Sequence, residues 1–168
     1  MALRRNRGFT LLEVLIAVLV FSLGMLGLAG MLVVSVKTNH SAYLRTQASF
    51  LAQSMADRMR ANPKAVWTNS YNATYPAAGS DPCIGGAPCS SNNIAIRDRF
   101  YWGQQLGNFL PNPVAIIACV PAAGVATPNP AANPPYNGLC NMRITWGESS
   151  LVKGQQATPQ TFVGDFQP

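Results

Sequence analysis

Charge is scarce in this 168-residue chain, which has 12 Lys and Arg, 6 Asp and Glu, and one histidine, His40. So few ionisable side chains leave acid–base and metal chemistry little to work with. There is no G-x-S-x-G, no P-loop and no carboxylate pair. Asp81, Asp98, Glu148 and Asp165 read as scattered acids without neighbours. The chain therefore reads as a non-enzyme without a cofactor. Proline is missing from the first 62 residues, since all 13 prolines lie at Pro63 or beyond. Cysteine is missing from the first 82 residues; the four present are Cys83, Cys89, Cys119 and Cys140. The length excludes a doubly wound dehydrogenase or a TIM barrel. A hydrophobic share of 48% excludes a disordered polyelectrolyte.

What is present changes character at Pro63. Residues 1–61 read as one helical unit, and residues 62–168 as short elements separated by turn chemistry. Residues 1–8 carry Arg4, Arg5 and Arg7 and no acid, and Glu13 is the only charge from Phe9 to Val36. A bilayer core needs about 20 apolar residues as a helix, so 9–36 can span it. A buried core helix would show a polar face over this length. A removable secretory signal would have a shorter apolar run and a small-residue cleavage site. The arginines before the span put the N-terminus in the cytoplasm and the rest outside.

Beyond the span, Leu44, Ala48, Leu51, Met55 and Met59 recur at steps of four and three, one stripe of a helix. The amphipathic stretch 37–61 ends at Asn62-Pro63. A helix from Phe9 to about Ala61 would be roughly 80 Å long.

Glu13 stands out, because a carboxylate inside an apolar run is costly in lipid. The residues before it explain its presence. Gly8-Phe9-Thr10-Leu11-Leu12-Glu13 after a short basic leader resembles the class III signal of type IV pilins and type II secretion pseudopilins. The resemblance implies that a prepilin peptidase cuts between Gly8 and Phe9 and methylates the new amine of Phe9. It further implies that Glu13 pairs with the N-terminal amine of a neighbouring subunit during assembly. Gly24, Gly27 and Gly30 lie three apart in the span. They suit either small-residue packing or a section that unwinds in a filament.

Leu44-Arg45-Thr46-Gln47-Ala48 and Ala56-Asp57-Arg58-Met59-Arg60-Ala61-Asn62 resemble the minor pilins of the PilV type, the type IV pilus modification proteins. Asp98, Trp102, Leu106 and Leu110-Pro111 look like their second short helix, and Met142 to Trp146 like their penultimate strand. The implied partners are the prepilin peptidase, other minor pilins and the major pilin, the pilus assembly platform and a tip adhesin. The implied location is the inner membrane, single-pass, and then the pilus at the cell surface.

The distal residues fit this independently. Trp102, Leu106, Phe109 and Leu110 fall at helical spacing between Asn93 and Leu110. Val114 to Val120 has the length and apolarity of a strand, Met142 to Trp146 alternates, and Gln160 to Phe166 is a possible last strand. Pro121 to Gly138 reads as a long surface loop. Strands packed on a long helix make an α+β domain, the pilin fold. The expected divisions are a leader at 1–8, a span at 9–36, the amphipathic half at 37–61 and a globular domain at 62–168.

An outside-facing domain is in oxidising surroundings, where disulfides form. Four cysteines allow three pairings. Cys83–Cys89 would close a small Pro/Gly loop, and Cys119–Cys140 would clamp the base of the long loop. Paired C-x-x-C spacings are missing, so no metal is expected. Asn39-His40-Ser41 and Asn72-Ala73-Thr74 match the glycosylation sequon, usually an accident in a short chain.

The formal charge of +6 divides unevenly. The leader carries +3, the helix to Ala61 carries +2 and the distal domain only +1. That weakens a nucleic-acid reading. A minor pilin is the leading expectation. A type II secretion pseudopilin is the alternative within this architecture, and an adhesin or DNA-uptake binding pilin is the alternative of another class.

Overall fold

The computed structural model describes residues 8–85, 88–123, 135–148 and 157–168. The elements are α1 (Leu11–Arg60), α2 (Pro63–Trp67), β1 (Ala73–Tyr75), α3 (Ser91–Phe109), β2 (Val114–Val120), β3 (Leu139–Glu148) and β4 (Thr158–Phe166). The chain divides into two compact units after Ala42, inside α1.

The first unit contains the apolar half of α1. No residue from Leu11 to Val36 is buried by the chain itself. Helix fits this stretch because every backbone group is then paired internally, the condition a lipid environment imposes. Two hydroxyls of this unit obey it as well. Ser22 donates to the Val18 carbonyl and Thr38 to the Val34 carbonyl at 3.0 Å. The helix is long and apolar enough to cross a membrane. It continues without a break through Gly24, Gly27 and Gly30.

The second unit is built on the stripe read from the sequence. Leu44, Ala48, Leu51, Met55 and Met59 are all buried, with Ala52 and Ala56 beside them. They share one core with the inner face of an antiparallel sheet of order β1-β2-β3-β4. Ala115, Ile117 and Cys119 of β2 and Cys140, Met142, Ile144 and Trp146 of β3 point inward. The result is a long N-terminal helix with a small antiparallel sheet, the α+β pilin fold.

Helix α3 completes the core. The Ser90 side chain caps it by accepting from the Asn93 N–H at 3.2 Å. Trp102 is fully buried, meets Tyr75 edge to face at 5.0 Å, and donates its indole N–H to the Leu51 carbonyl of α1 at 2.9 Å. Gly103 leaves room where α3 passes Pro76, since a Cβ there would lie a tight 3.3 Å from the Pro76 Cα.

Several boundaries differ from the expectation. The sequence pattern starts α3 at Asn93, whereas the cap at Ser90 starts it at Ser91. Phe109 is not a core residue but 46% exposed, because Leu110 closes the helix and takes the buried place. β3 and β4 run longer than their apolar alternation, because the ladder continues to Glu148 and Thr158. α2 and β1 give too short a pattern to be read from periodicity. The long-loop expectation falls largely on residues outside the described ones.

The four cysteines form two disulfides, Cys83–Cys89 and Cys119–Cys140. Cys119 and Cys140 are direct cross-strand partners of β2 and β3, with Cα atoms 3.9 Å apart. Gly138 lies just before β3, where a Cβ would meet the Val120 carbonyl oxygen at 2.1 Å. Only glycine allows the chain to pass this close to β2.

Candidate functional site: the N-terminal helix and the latch at its far end

Gly8 and Phe9 precede the helix. Thr10 opens it. Its Oγ1 accepts from the Glu13 N–H at 3.3 Å, and its carbonyl accepts from Glu13 and Val14 at 3.1 and 3.3 Å. Thr10-Leu11-Leu12-Glu13 is thus the Thr-x-x-Glu pattern of a capping box. The spacing alone carries that signal, which the sequence reading overlooked. Glu13 lies in the first turn, where the exposed N–H groups favour an anion.

Phe9, Glu13, Ala17 and Phe21 follow at four-residue steps and, with Val14 and Val18, line one shallow hollow on the helix face. The small Ala17 between Glu13 and Phe21 leaves the space. The hollow offers one carboxylate on apolar walls. Chemically it suits a cation carried on an apolar body, not a polar solute.

At the other end of α1, the segment Asp57-Arg58-Met59-Arg60-Ala61-Asn62 divides by face. Asp57 and Arg60 pair at 2.8 Å on the exposed side, a contact worth little. Met59 is fully buried. Arg58 reaches Asp98 of α3 at 3.1 Å. The other carboxylate oxygen of Asp98 accepts from the Tyr71 hydroxyl at 2.9 Å. Asn62, itself buried, donates to the Tyr71 hydroxyl at 3.2 Å and to the Ser91 carbonyl at 2.8 Å. The Tyr75 hydroxyl donates to the Tyr71 carbonyl at 2.7 Å. Burial, followed by the nearby Asp98 charge, pushes the Tyr71 hydroxyl well above the usual tyrosine range. Burial does the same to Tyr75, against a smaller opposing pull from Arg99.

This overturns the reading of the acids as lacking neighbours. Asp98 is the centre of a network. Asp81 accepts from the Tyr101 hydroxyl at 3.1 Å, and Asp165 from Asn141 at 2.7 Å. Residues far apart in sequence leave no periodic trace of such pairing. His40 is exposed in the first unit. Asn72 of the second sequon is engaged with the backbone of β2, accepting from the Cys119 N–H at 3.0 Å and donating to its carbonyl at 3.3 Å. Among the described residues, no group of three His, Cys, Asp or Glu could hold a metal ion.

Two family models match the chain in sequence order. The prokaryotic N-terminal methylation motif covers residues 3–29, and the type IV pilin Tt1218 family covers residues 30–100. Together these matches support a type IV pilin. Among curated proteins and among solved structures, no match is found. The methylation motif implies processing by a prepilin peptidase and assembly with other pilins. Together with the apolar helix, it fits an inner-membrane-anchored pilin that passes into the pilus. Type IV pilins are structural proteins, not enzymes.

Proposed function

We propose that this pilin is a minor subunit, incorporated into type IV pili or priming their assembly. The prepilin peptidase cuts between Gly8 and Phe9 at the cytoplasmic side and methylates Phe9. The span at 9–36 holds the chain in the inner membrane, with the rest periplasmic. Glu13 then pairs with the N-terminal amine of a neighbouring subunit, which is the register device of assembly. Other minor pilins, the major pilin, the assembly platform and a tip adhesin are the partners of this reading.

The observation that supports it most is the hollow of Phe9, Glu13, Ala17 and Phe21 on a helix face that its own chain leaves uncovered. A charged amine on an apolar helix end is the complementary object. An ion pair there is stronger than in water, and removing one member leaves an uncompensated charge. The minor role, of the PilV type, is supported by the resemblance of residues 56–62.

The test is Glu13→Ala in the piliated host. Membrane insertion should be unchanged, and the amount of the chain in sheared filaments should fall several-fold. Unaltered filament content would sink the pairing role. A secretion defect with normal piliation in a deletion strain would favour the pseudopilin reading instead.

A further inference from the structure

Strand β2 is apolar at all seven positions, Val114-Ala115-Ile116-Ile117-Ala118-Cys119-Val120. That is the composition of a strand covered on both faces. Among the described residues, only one face is covered. Ala115, Ile117 and Cys119 are buried, while Val114, Ile116 and Val120 are 48%, 44% and 67% exposed on the opposite face. The ladder register extends this surface. Leu139 of β3, 62% exposed, stands opposite Val120, and Val163 of β4, 53% exposed, stands in the row of Ile116 and Arg143. β3 and β4 otherwise show the polar outward residues of a solvated face, so the apolar surface is centred on β2.

Arg143 sits in the middle of it, flanked in register by Ile116 and Val163. Among the described residues it makes no ion pair. The nearest acid on this face by register is Asp165, one row away, and Asn141 already donates to it at 2.7 Å. A cation in an aliphatic surface calls for a carboxylate from whatever covers that surface, since leaving the charge unpaired under cover would be costly.

We infer that the outer face of the sheet is a docking surface for a different protein, one whose contact area is aliphatic and carries a carboxylate that meets Arg143. A second copy stacked face to face about Arg143 would set two like charges against each other, which disfavours self-pairing. The inference draws on the pilin assignment only for the neighbours it supposes, and it is independent of Glu13.

The test places a photo-crosslinking residue at Ile116 or Val163, with Gln104 on α3 as control, in the full chain in piliated cells. The expected product is an adduct with a different protein at the two sheet positions and none at Gln104. Arg143→Glu should reduce it at least tenfold. Reversing the acid found in the crosslinked peptide to Arg should restore it in the Arg143→Glu background. An adduct with a second copy, an adduct indifferent to Arg143→Glu, or no adduct from chains present in sheared filaments would each overturn the inference. The last result leaves the proposed function standing, and Glu13→Ala tests that function separately.

Discussion

Arg58 at the end of α1 reaches Asp98 in the middle of α3 across 3.1 Å, and Tyr71 holds the other oxygen of the same carboxylate at 2.9 Å. The two members are unequally placed: the Asp98 side chain is 8% exposed and that of Arg58 29%. Loss of Arg58 therefore strands a buried carboxylate, whereas loss of Asp98 leaves a cation that can turn to water. Arg58→Ala should cost about 3 kcal/mol, and Asp98→Asn clearly less. Thermal unfolding of the full chain in detergent gives the ranking, and equal losses would contradict it.

The two disulfides should contribute unequally. Cys119–Cys140 spans 21 residues and Cys83–Cys89 spans 6. Chain entropy alone assigns about 3 kcal/mol to the first and about 2 kcal/mol to the second. Cys119 and Cys140 also lie in the core. Replacing that pair by alanine should lower the melting temperature more than replacing Cys83 and Cys89, as circular dichroism can measure.

Alkali should destabilise the distal unit. Tyr71 and Tyr75 have hydroxyls raised above the ordinary value, chiefly by burial. Their neutral form is favoured in the folded state, so this contribution is complete below about pH 10, where unfolded tyrosine titrates. Above that, the unfolded chain binds fewer protons than the folded one, and stability falls with pH. The slope should approach about 1.4 kcal/mol per pH unit for each tyrosine. Urea titrations at a series of pH values read this directly, and Tyr75→Phe should flatten the slope.

Asn72 should behave as a structural residue. Its amide pairs with both backbone groups of Cys119. Asn72→Ala leaves them unsatisfied in a part-buried place, at a cost of about 1–3 kcal/mol. Thr74→Ala removes the sequon while keeping Asn72, and Thr74 is exposed. It should change neither mass by glycan loss nor melting temperature. A glycan lost on Thr74→Ala would contradict the assignment.

The elements legible in the sequence were those set by local periodicity. The stripe from Leu44 to Met59 declares itself by spacing, and β2 declares itself by a run of apolar residues between prolines. The short leader and Glu13 are legible because they form a contiguous motif. Contacts that close over long sequence distances were not legible. Nothing near Asp98 in the chain points to Arg58, 40 residues earlier, and nothing near Trp102 points to the Leu51 carbonyl. Phe109 misled because its spacing suits the α3 face, while Leu110, the capping residue, takes the buried place. The outward side of β2 was present in its composition, but only the fold shows that the described residues leave Val114, Ile116 and Val120 exposed.

The change of surroundings along α1 has a consequence for hydrogen exchange. Amides beside Leu44 to Met59 sit in a helix clamped by its own domain. Their exchange with deuterium should need the domain to open and should follow its stability. Amides from Leu11 to Val36 have no such cover from the chain, so whatever surrounds the helix sets their exchange. One continuous helix should therefore keep two clocks: one belongs to the fold, and the other reports whether lipid, detergent or neighbouring subunits enclose it.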